Sequence, residues 1–184
     1  MFNYLKIYVS WRWYAWHNDC CAAGMKKAIV PSLLQTLCLG VVTGMRSAMG
    51  PAFTSYFVNQ HPSDKLKRSP LGFMQNPATA RFLKTMAAGE LVMDKSPGIG
   101  DRIAATGIAG RALSGALTGA TLYQAKGGKA WKGGLIGAVA AVAAAYAFFY
   151  LRREAGKRLQ VRDAAVGGVE DAVAVGIASL AVRK

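Results

Sequence analysis

The sequence is short of the residues from which most catalytic and metal sites are built. Its 184 residues include only two histidines, His17 and His61, and three cysteines, Cys20, Cys21 and Cys38. No CxxC pair with further partner ligands is present, so neither a zinc site nor a disulfide framework is predicted. The GxSxG, HExxH and P-loop patterns are also missing, which removes the common signatures of enzymes. We therefore predict a protein that is not an enzyme and that holds no metal or cofactor.

Charged residues are scarce, and most of them have the same sign. They make up 17% of the chain, below the usual quarter for a soluble domain, whereas hydrophobic residues make up 53%. The 23 Lys and Arg against 9 Asp and Glu give a net charge of +14, which suits nucleic acid or an anionic membrane surface. Because apolar stretches alternate with short basic loops and no nucleic-acid-binding module is recognisable, we predict contact with anionic lipid headgroups and no nucleic-acid binding.

Five apolar segments predict an all-α, polytopic helical membrane bundle of about five spans. The strongest, Gly133–Leu151, has no charge over 19 residues, close to the ~20 that a bilayer core requires. It ends in aromatic residues, and basic residues follow it, as at a membrane interface. The pattern is typical of a multi-pass protein of a bacterial cytoplasmic membrane. The other four segments are Ile29–Met45, Thr79–Met93, Ile103–Tyr123 and Ala164–Val182.

The segment Ser47–Val58 is apolar but too short to cross a bilayer alone. Gly50-Pro51 is expected to break the helix of the preceding span. Two interpretations stay open: a re-entrant half-helix, which is tolerated where protein or water covers its backbone, or a kinked extension of that span. The polar, proline-containing stretch Asn59–Pro77 and the basic stretch Arg152–Arg162 are predicted to be loops.

The first 24 residues differ from the rest of the chain. They hold three of the four tryptophans, whereas Met25-Lys26-Lys27 and the apolar run after it are typical of the start of a bacterial membrane protein. One hypothesis is that Met25 is the native start, so that residues 25–184 form a single helical membrane domain. The alternative is that residues 1–24 form an interfacial helix, because Trp, Tyr, Lys and Arg suit the headgroup region.

Small residues recur at intervals of four along four of the predicted spans. This spacing places them in one stripe of a helix, where they let two helix backbones come into van der Waals contact. We predict that the stripes pack helices together, either within one chain or in a homo-oligomer. The glycines concerned are Gly40, Gly44, Gly107, Gly115, Gly119, Gly133, Gly137, Gly168 and Gly176.

Ionisable residues inside the apolar segments are the candidate functional residues. A charge at the centre of a membrane costs roughly 2.5–3.5 kcal/mol, so each needs a partner or water. Arg46 and Arg111 can each bind one carboxylate bidentately. Up to two of the four carboxylates then have no arginine partner. The candidates are Arg46, Glu90, Arg111, Glu170 and Asp171, with Asp94 and Lys95 at the end of one segment.

These charges support two functions of different kinds. The first is a small transporter or permeation-pathway protein for a cation or a proton-coupled solute, in which the surplus carboxylates bind the ion or carry the proton. The alternative is a structural or accessory membrane subunit whose buried ion pairs only fix helix packing.

The order of these features suggests a weak internal inverted repeat. The Gly-rich, Arg-containing stretches 39–52 and 107–120 are each followed by an acidic apolar segment, 89–98 and 167–176. Oppositely directed halves would bring each arginine against the acidic segment of the other half. We therefore predict pairs of Arg46 with Glu170 or Asp171, and of Arg111 with Glu90 or Asp94.

Short motifs from Leu37 to Lys184 resemble a family of small bacterial membrane proteins catalogued as domain of unknown function 4126. They are GMRS at 44–47, GELVMDKSPG at 89–98, GRALSGALTG at 110–119 and VEDAVAVG at 169–176. The resemblance implies a membrane location. It implies no activity, substrate or catalytic residue.

Overall fold

The computed structural model describes residues 32–93, 105–159 and 163–182, and the regular elements in these ranges are all helical. The predicted all-α class is therefore confirmed for this part of the chain. The predictions on residues 1–24, Asp94 and Lys95 lie outside the described residues. The helices are α1 (Ser32–Met45), α2 (Met49–Gln60), α3 (Asp64–Lys67), a 3₁₀ helix (Pro70–Gln75), α4 (Pro77–Met93), α5 (Ala105–Ala125), α6 (Ala130–Leu159) and α7 (Asp163–Val182).

Of the described helices, one is long and apolar enough to cross a membrane. It is α6, whose apolar part Ala130–Glu154 has 25 residues and a mean hydropathy of 2.0. A shorter apolar helix covers Leu33–Met45. The five predicted segments all form helices, but five membrane spans are not confirmed. Charges inside α4, α5 and α7 lower their hydropathy, and α1 has only 14 residues.

Both predicted loops are wrong in part. The stretch 59–77 contains α3 and the 3₁₀ helix, because Leu66 and Met74 are fully buried and form a small core with Val58. The helix α6 continues to Leu159, so Arg152 is a helical residue rather than a loop residue.

The chain turns back on itself between α1 and α2, over Arg46, Ser47 and Ala48. The alternative of a kinked extension is therefore wrong. The helix also ends before Gly50-Pro51, which lie in the first turn of α2, where proline is tolerated. A Cβ on Gly50 would collide with Thr43 of α1, so glycine lets the two helices pack closely at the turn.

Contacts between glycines and small residues show the relative directions of three helices. Gly40 of α1 packs against Gly137 and Ala140 of α6, and Gly44 packs further along against Ala144, so α1 and α6 run parallel. The helix α5 runs antiparallel to α6, because a Cβ on Gly115 would lie 2.5 Å from the carbonyl oxygen of Gly137, whereas Gly119 contacts Gly133.

Polar contacts set the directions of the other long helices. The side chain of Gln35, near the start of α1, donates to the carbonyl of Ala181 at the end of α7 (2.9 Å), so these two helices are antiparallel. The helices α2 and α4 are also antiparallel, because Tyr56 lies beside Lys84 and Ala48 beside Glu90. Helices α1, α4 and α6 therefore run one way and α2, α5 and α7 the other.

Each helix of the first half, α1–α2–α4, therefore runs opposite to its counterpart in the second half, α5–α6–α7, as an inverted repeat requires. The two similar stretches of sequence, 39–52 and 107–120, do not occupy equivalent positions in the two halves, however. Arg46 follows the last residue of α1, whereas Arg111 lies in the second turn of α5. The repeat therefore stays a prediction.

Glycine packing is uneven among the predicted stripes. Those on α1, α5 and α6 lie between helices, and the α5–α6 contact leaves no room for a Cβ at Gly115, Gly119, Gly133 or Gly137. On α7, added Cβ atoms on Gly168 and Gly176 would meet no other described residue within 4 Å, so packing by this stripe within the chain is not confirmed. Gly107 is half-buried in the first turn of α5.

Basic residues gather at the end of the bundle where α5 turns into α6. Gly127 has a φ of 79° in this turn, a left-handed conformation that favours glycine, and it lies against Lys65 of α3. The hydroxyl of Ser63, just before α3, donates to the carbonyl of Ala125, the last residue of α5 (2.7 Å), and joins these two elements. We call this region the lysine end; it comprises Lys65, Lys67, Arg68, Lys126, Lys129 and Lys132.

Candidate functional site: the charged cluster at the α1–α2 turn

Three helices bring charged side chains to the turn between α1 and α2. We call this group the charged cluster. It lies towards the end of the bundle opposite the lysine end. The helix α1 runs away from the lysine end and finishes at the cluster, and α7 starts at the same opposite end. Its members are Arg46 and Ser47 at the turn, Glu90 on α4, Arg152 on α6, and Glu170 and Asp171 on α7.

Arg46 and Asp171 form a close ion pair in the charged cluster. Both Nε and Nη2 of Arg46 lie 2.6 Å from Oδ1 of Asp171, so one carboxylate oxygen accepts from two guanidinium nitrogens. Arg46 is only 3% exposed. The predicted pairing of Arg46 with Glu170 or Asp171 is therefore confirmed, and it ties α1 to α7 across 125 residues of sequence.

Glu170 pairs with a different helix from its neighbour Asp171. Its Oε2 lies 3.4 Å from Nη1 of Arg152 on α6, and its side chain is 8% exposed. The guanidinium of Arg152 also lies against Gly167, where a larger residue would crowd it. Because successive helical side chains diverge by ~100°, adjacent carboxylates can hold α7 against α1 and α6 together.

Glu90 binds the backbone of the turn instead of an arginine. Its Oε1 accepts from the amide and the hydroxyl of Ser47 (both 2.9 Å), and its Oε2 accepts from the amide of Ala48 (2.8 Å). Ala48 is the N-cap of α2 and has no side chain that can bind the free amides there. A carboxylate at this position also interacts favourably with the helix dipole. Glu90 thus caps α2 from a different helix.

The predicted pairing of Arg111 with Glu90 is not confirmed. In the described part of the chain, the hydrogen bonds of Glu90 go to Ser47 and Ala48. Arg111 lies half-buried on α5, one turn before Gly115. The other predicted partner, Asp94, lies outside the described residues, as does Lys95.

The pairing changes the balance of charges on which the transport hypothesis depends. Glu90, Glu170 and Asp171 each have donors from another segment, so none of these three is a surplus carboxylate. The described residues contain no group of three His, Cys, Asp or Glu side chains placed to hold a metal ion. The geometry of the charged cluster suits fixing helices more than exchanging an ion.

Two members of the charged cluster were not among the predicted site residues. Arg152 follows the aromatic end of an apolar span, where a basic residue ordinarily indicates the membrane interface. Ser47 carries a usable signal, since a serine just before a helix often binds free amides. Here its own amide and hydroxyl both donate to Glu90, which no local pattern reveals.

Comparison with known proteins yields no relative for this chain: no family model, curated protein or solved structure matches it.

Replacing Glu90 by glutamine is expected to destabilise the protein by about 1–3 kcal/mol. Glutamine keeps one acceptor oxygen and brings an NH₂ group against amide donors, so at least one amide of Ser47 or Ala48 loses its partner. Thermal unfolding in detergent measures the change. Ser47→Ala is the matched control: it removes one hydroxyl but keeps both amide bonds, so its cost should be smaller. Equal melting temperatures for wild type and Glu90→Gln would contradict the capping role.

Proposed function

We propose that this chain is an integral membrane protein of the structural or accessory kind, in which buried charges hold the helices in register. The observation that carries the membrane location is the distribution of side-chain size. In α6 and α7, most large apolar side chains are exposed, and the buried apolar positions are occupied by alanine and glycine. The exposed residues include Leu135, Val139, Tyr150, Leu151, Val169 and Leu180, whereas Ala140, Ala141, Ala144, Ala174 and Ala178 are buried.

This distribution is the reverse of what water favours. A water-soluble protein buries its large apolar side chains, because their removal from water stabilises the fold. In lipid that drive is absent, and helices associate through small residues and polar contacts. Val139, Leu180 and Val169 are 60–66% exposed. Contact of such side chains with lipid hydrocarbon costs little free energy, whereas their exposure to water is unfavourable.

The α1–α2 hairpin supports a re-entrant element within this proposal. With 14 and 12 residues, the two helices reach only ~21 Å and ~18 Å, less than the ~30 Å of a bilayer core. They start and end near the lysine end, so the hairpin enters and leaves on one side. Irregular backbone inside a membrane needs protein partners, and Glu90 supplies them for the amides of Ser47 and Ala48.

The structural role is favoured over transport because the described carboxylates of the charged cluster are engaged. The oxygens of these carboxylates accept from a guanidinium or from backbone amides of another segment, so their acceptor positions are occupied by groups of the protein itself. Each such contact joins segments far apart in sequence, such as Arg46 and Asp171 or Ser47 and Glu90. The contacts therefore stabilise one arrangement of α1, α2, α4, α6 and α7.

Carboxylate-to-amide variants separate the two functions. Purified wild type, Asp171→Asn and Glu90→Gln are compared by melting temperature in detergent and by proton flux in liposomes with an internal pH-sensitive dye. The structural role predicts lower melting temperatures for both variants and wild-type flux no greater than that of empty liposomes. Wild-type flux that is lost in a variant with an unchanged melting temperature would instead support the permeation pathway.

The membrane location predicts resistance to alkaline extraction. Washing membranes with sodium carbonate at high pH should leave the protein in the pellet, because α6 presents an apolar stretch of membrane-spanning length. Immunoblotting of pellet and supernatant measures the distribution, with a peripheral membrane protein as the control that is released. Recovery of the chain in the supernatant would overturn the membrane location.

A further inference from the structure

An apolar groove lies on the surface between α2, α4 and α7. Its volume is about 360 Å³, at the lower end of the ~300–1,000 Å³ of small-molecule sites. Of the described residues that line it, one is charged, Lys84. The apolar walls include Met49, Ala52 and Phe53 of α2, Ala88 and Leu91 of α4, and Val175 of α7.

The charged residue lies at one end of this groove. The ammonium of Lys84 is 4.4 Å from the centre of the Tyr56 ring, a cation–π distance. Because α4 runs away from the lysine end, Lys84 is nearer to that end and Leu91 is two turns further away. Arg81, one turn closer still, is exposed. The groove thus has a basic end and an apolar end, separated by ~10 Å along α4.

The lining of the groove indicates what it can hold. The groove extends over ~10 Å of α4 and has a volume of about 360 Å³. A hydrocarbon chain is apolar along its length and suits these walls, and a negative group at its end would meet Lys84.

We propose that the groove binds one acyl chain of an anionic membrane phospholipid, whose phosphate contacts Lys84. The charge of the protein agrees with this occupant, because the chain carries a net +14 and its lysine end lies on the side of the headgroup. Tyr56 holds the ammonium at the mouth of the groove, and the apolar walls enclose the tail. The inference rests on the membrane location proposed above.

The test measures how lipids stabilise the full-length protein in a neutral detergent. Dioleoylphosphatidylglycerol is titrated against the melting temperature, with dioleoylphosphatidylcholine as the zwitterionic comparison, because a bound ligand stabilises the folded state by mass action. The anionic lipid should raise the melting temperature in a saturable way and at lower concentration than the zwitterionic one. In Lys84→Glu and Lys84→Gln, the apparent affinity for the anionic lipid should fall at least about fivefold, which corresponds to ~1 kcal/mol.

A second pair of variants tests the acyl chain. Ala88→Phe places a ring in the groove and should abolish the saturable shift, whereas Ala143→Phe, on the exposed face of α6, should leave it intact. Lys129→Glu, at the lysine end, is the charge control for Lys84→Glu. If Ala88→Phe binds the anionic lipid like wild type, or if Lys129→Glu weakens binding as much as Lys84→Glu, the groove is not the lipid site.

Two further outcomes would overturn the proposal. Equal stabilisation by both lipids would remove the role of Lys84. A dimer in detergent that Ala88→Phe converts to a monomer would show that a second copy covers the groove. Neither outcome affects the carbonate-extraction result, so lipid binding can fail while the membrane location stands.

Discussion

Replacing Gly115 by leucine is expected to lower the melting temperature in detergent by about 6–12 °C. A Cβ at this position would lie 2.5 Å from the carbonyl oxygen of Gly137 and 2.7 Å from the Cβ of Ala141, so α5 and α6 would have to move apart. Overpacking costs ~1–3 kcal/mol when side chains can adjust. Here one of the obstacles is backbone, so we expect a cost of about 3 kcal/mol, which gives the stated shift for a chain of this length.

Gly110→Leu is the matched control on the same helix. Gly110 is exposed, and an added Cβ there would meet no other described residue within 4 Å. Because glycine is ~0.8–1.0 kcal/mol less favourable in a helix than alanine, and leucine ranks close to alanine, this variant should melt at or above the wild-type temperature. Gly115→Leu melting together with Gly110→Leu would show that the close α5–α6 contact does not exist.

Replacing Arg46 by leucine is expected to destabilise the protein by about 3–5 kcal/mol. The change leaves Asp171, whose side chain is 19% exposed, without the guanidinium nitrogens that lie 2.6 Å from its Oδ1. A partly buried charge that loses its partner costs more than the pair contributed. Arg46→Leu combined with Asp171→Leu should therefore be more stable than Arg46→Leu alone, with a coupling energy of ~1–3 kcal/mol.

The Arg152–Glu170 pair is the comparison for this double-mutant cycle. The distance from Nη1 of Arg152 to Oε2 of Glu170 is longer, at 3.4 Å, and the Arg152 side chain is 17% exposed against 4% for that of Arg46. Arg152→Leu should therefore cost less than Arg46→Leu when both are measured by thermal unfolding in detergent. Additive effects of Arg46→Leu and Asp171→Leu would mean that the two residues do not interact.

The helices could be predicted because their signals are local. An uncharged run such as Gly133–Leu151, rich in alanine, favours a helix through its own composition, and it forms one as expected. The prediction missed the far end of α6, because helix propensity continues through Arg152 to Leu159 after the apolar run has ended. It also missed α3, whose four residues form a helix because Leu66 finds a buried place beside Val58 and Met74.

Four of the six members of the charged cluster could be predicted from the sequence, and their pairs only in part. The free-energy cost of an unpaired charge in an apolar segment predicted partners for Arg46, Glu90, Glu170 and Asp171. Each of them has one. A carboxylate can satisfy an arginine or two backbone amides equally well. The choice of Ser47 and Ala48 for Glu90 follows from the turn between α1 and α2, which lies beside α4.

The sequence by itself determined the helical class, the stripes of small residues on α1, α5 and α6, and the need to neutralise internal charges, since each follows from composition and spacing along one segment. Tertiary structure decided which glycines face another helix: Gly115 meets Gly137, whereas Gly168 and Gly176, in an equally regular stripe, meet no other described residue within 4 Å. It also decided that Asp171 binds Arg46 and Glu170 binds Arg152. The physical reason is that a contact between helices depends on their relative position and rotation, and those are set by the packing of all the helices together.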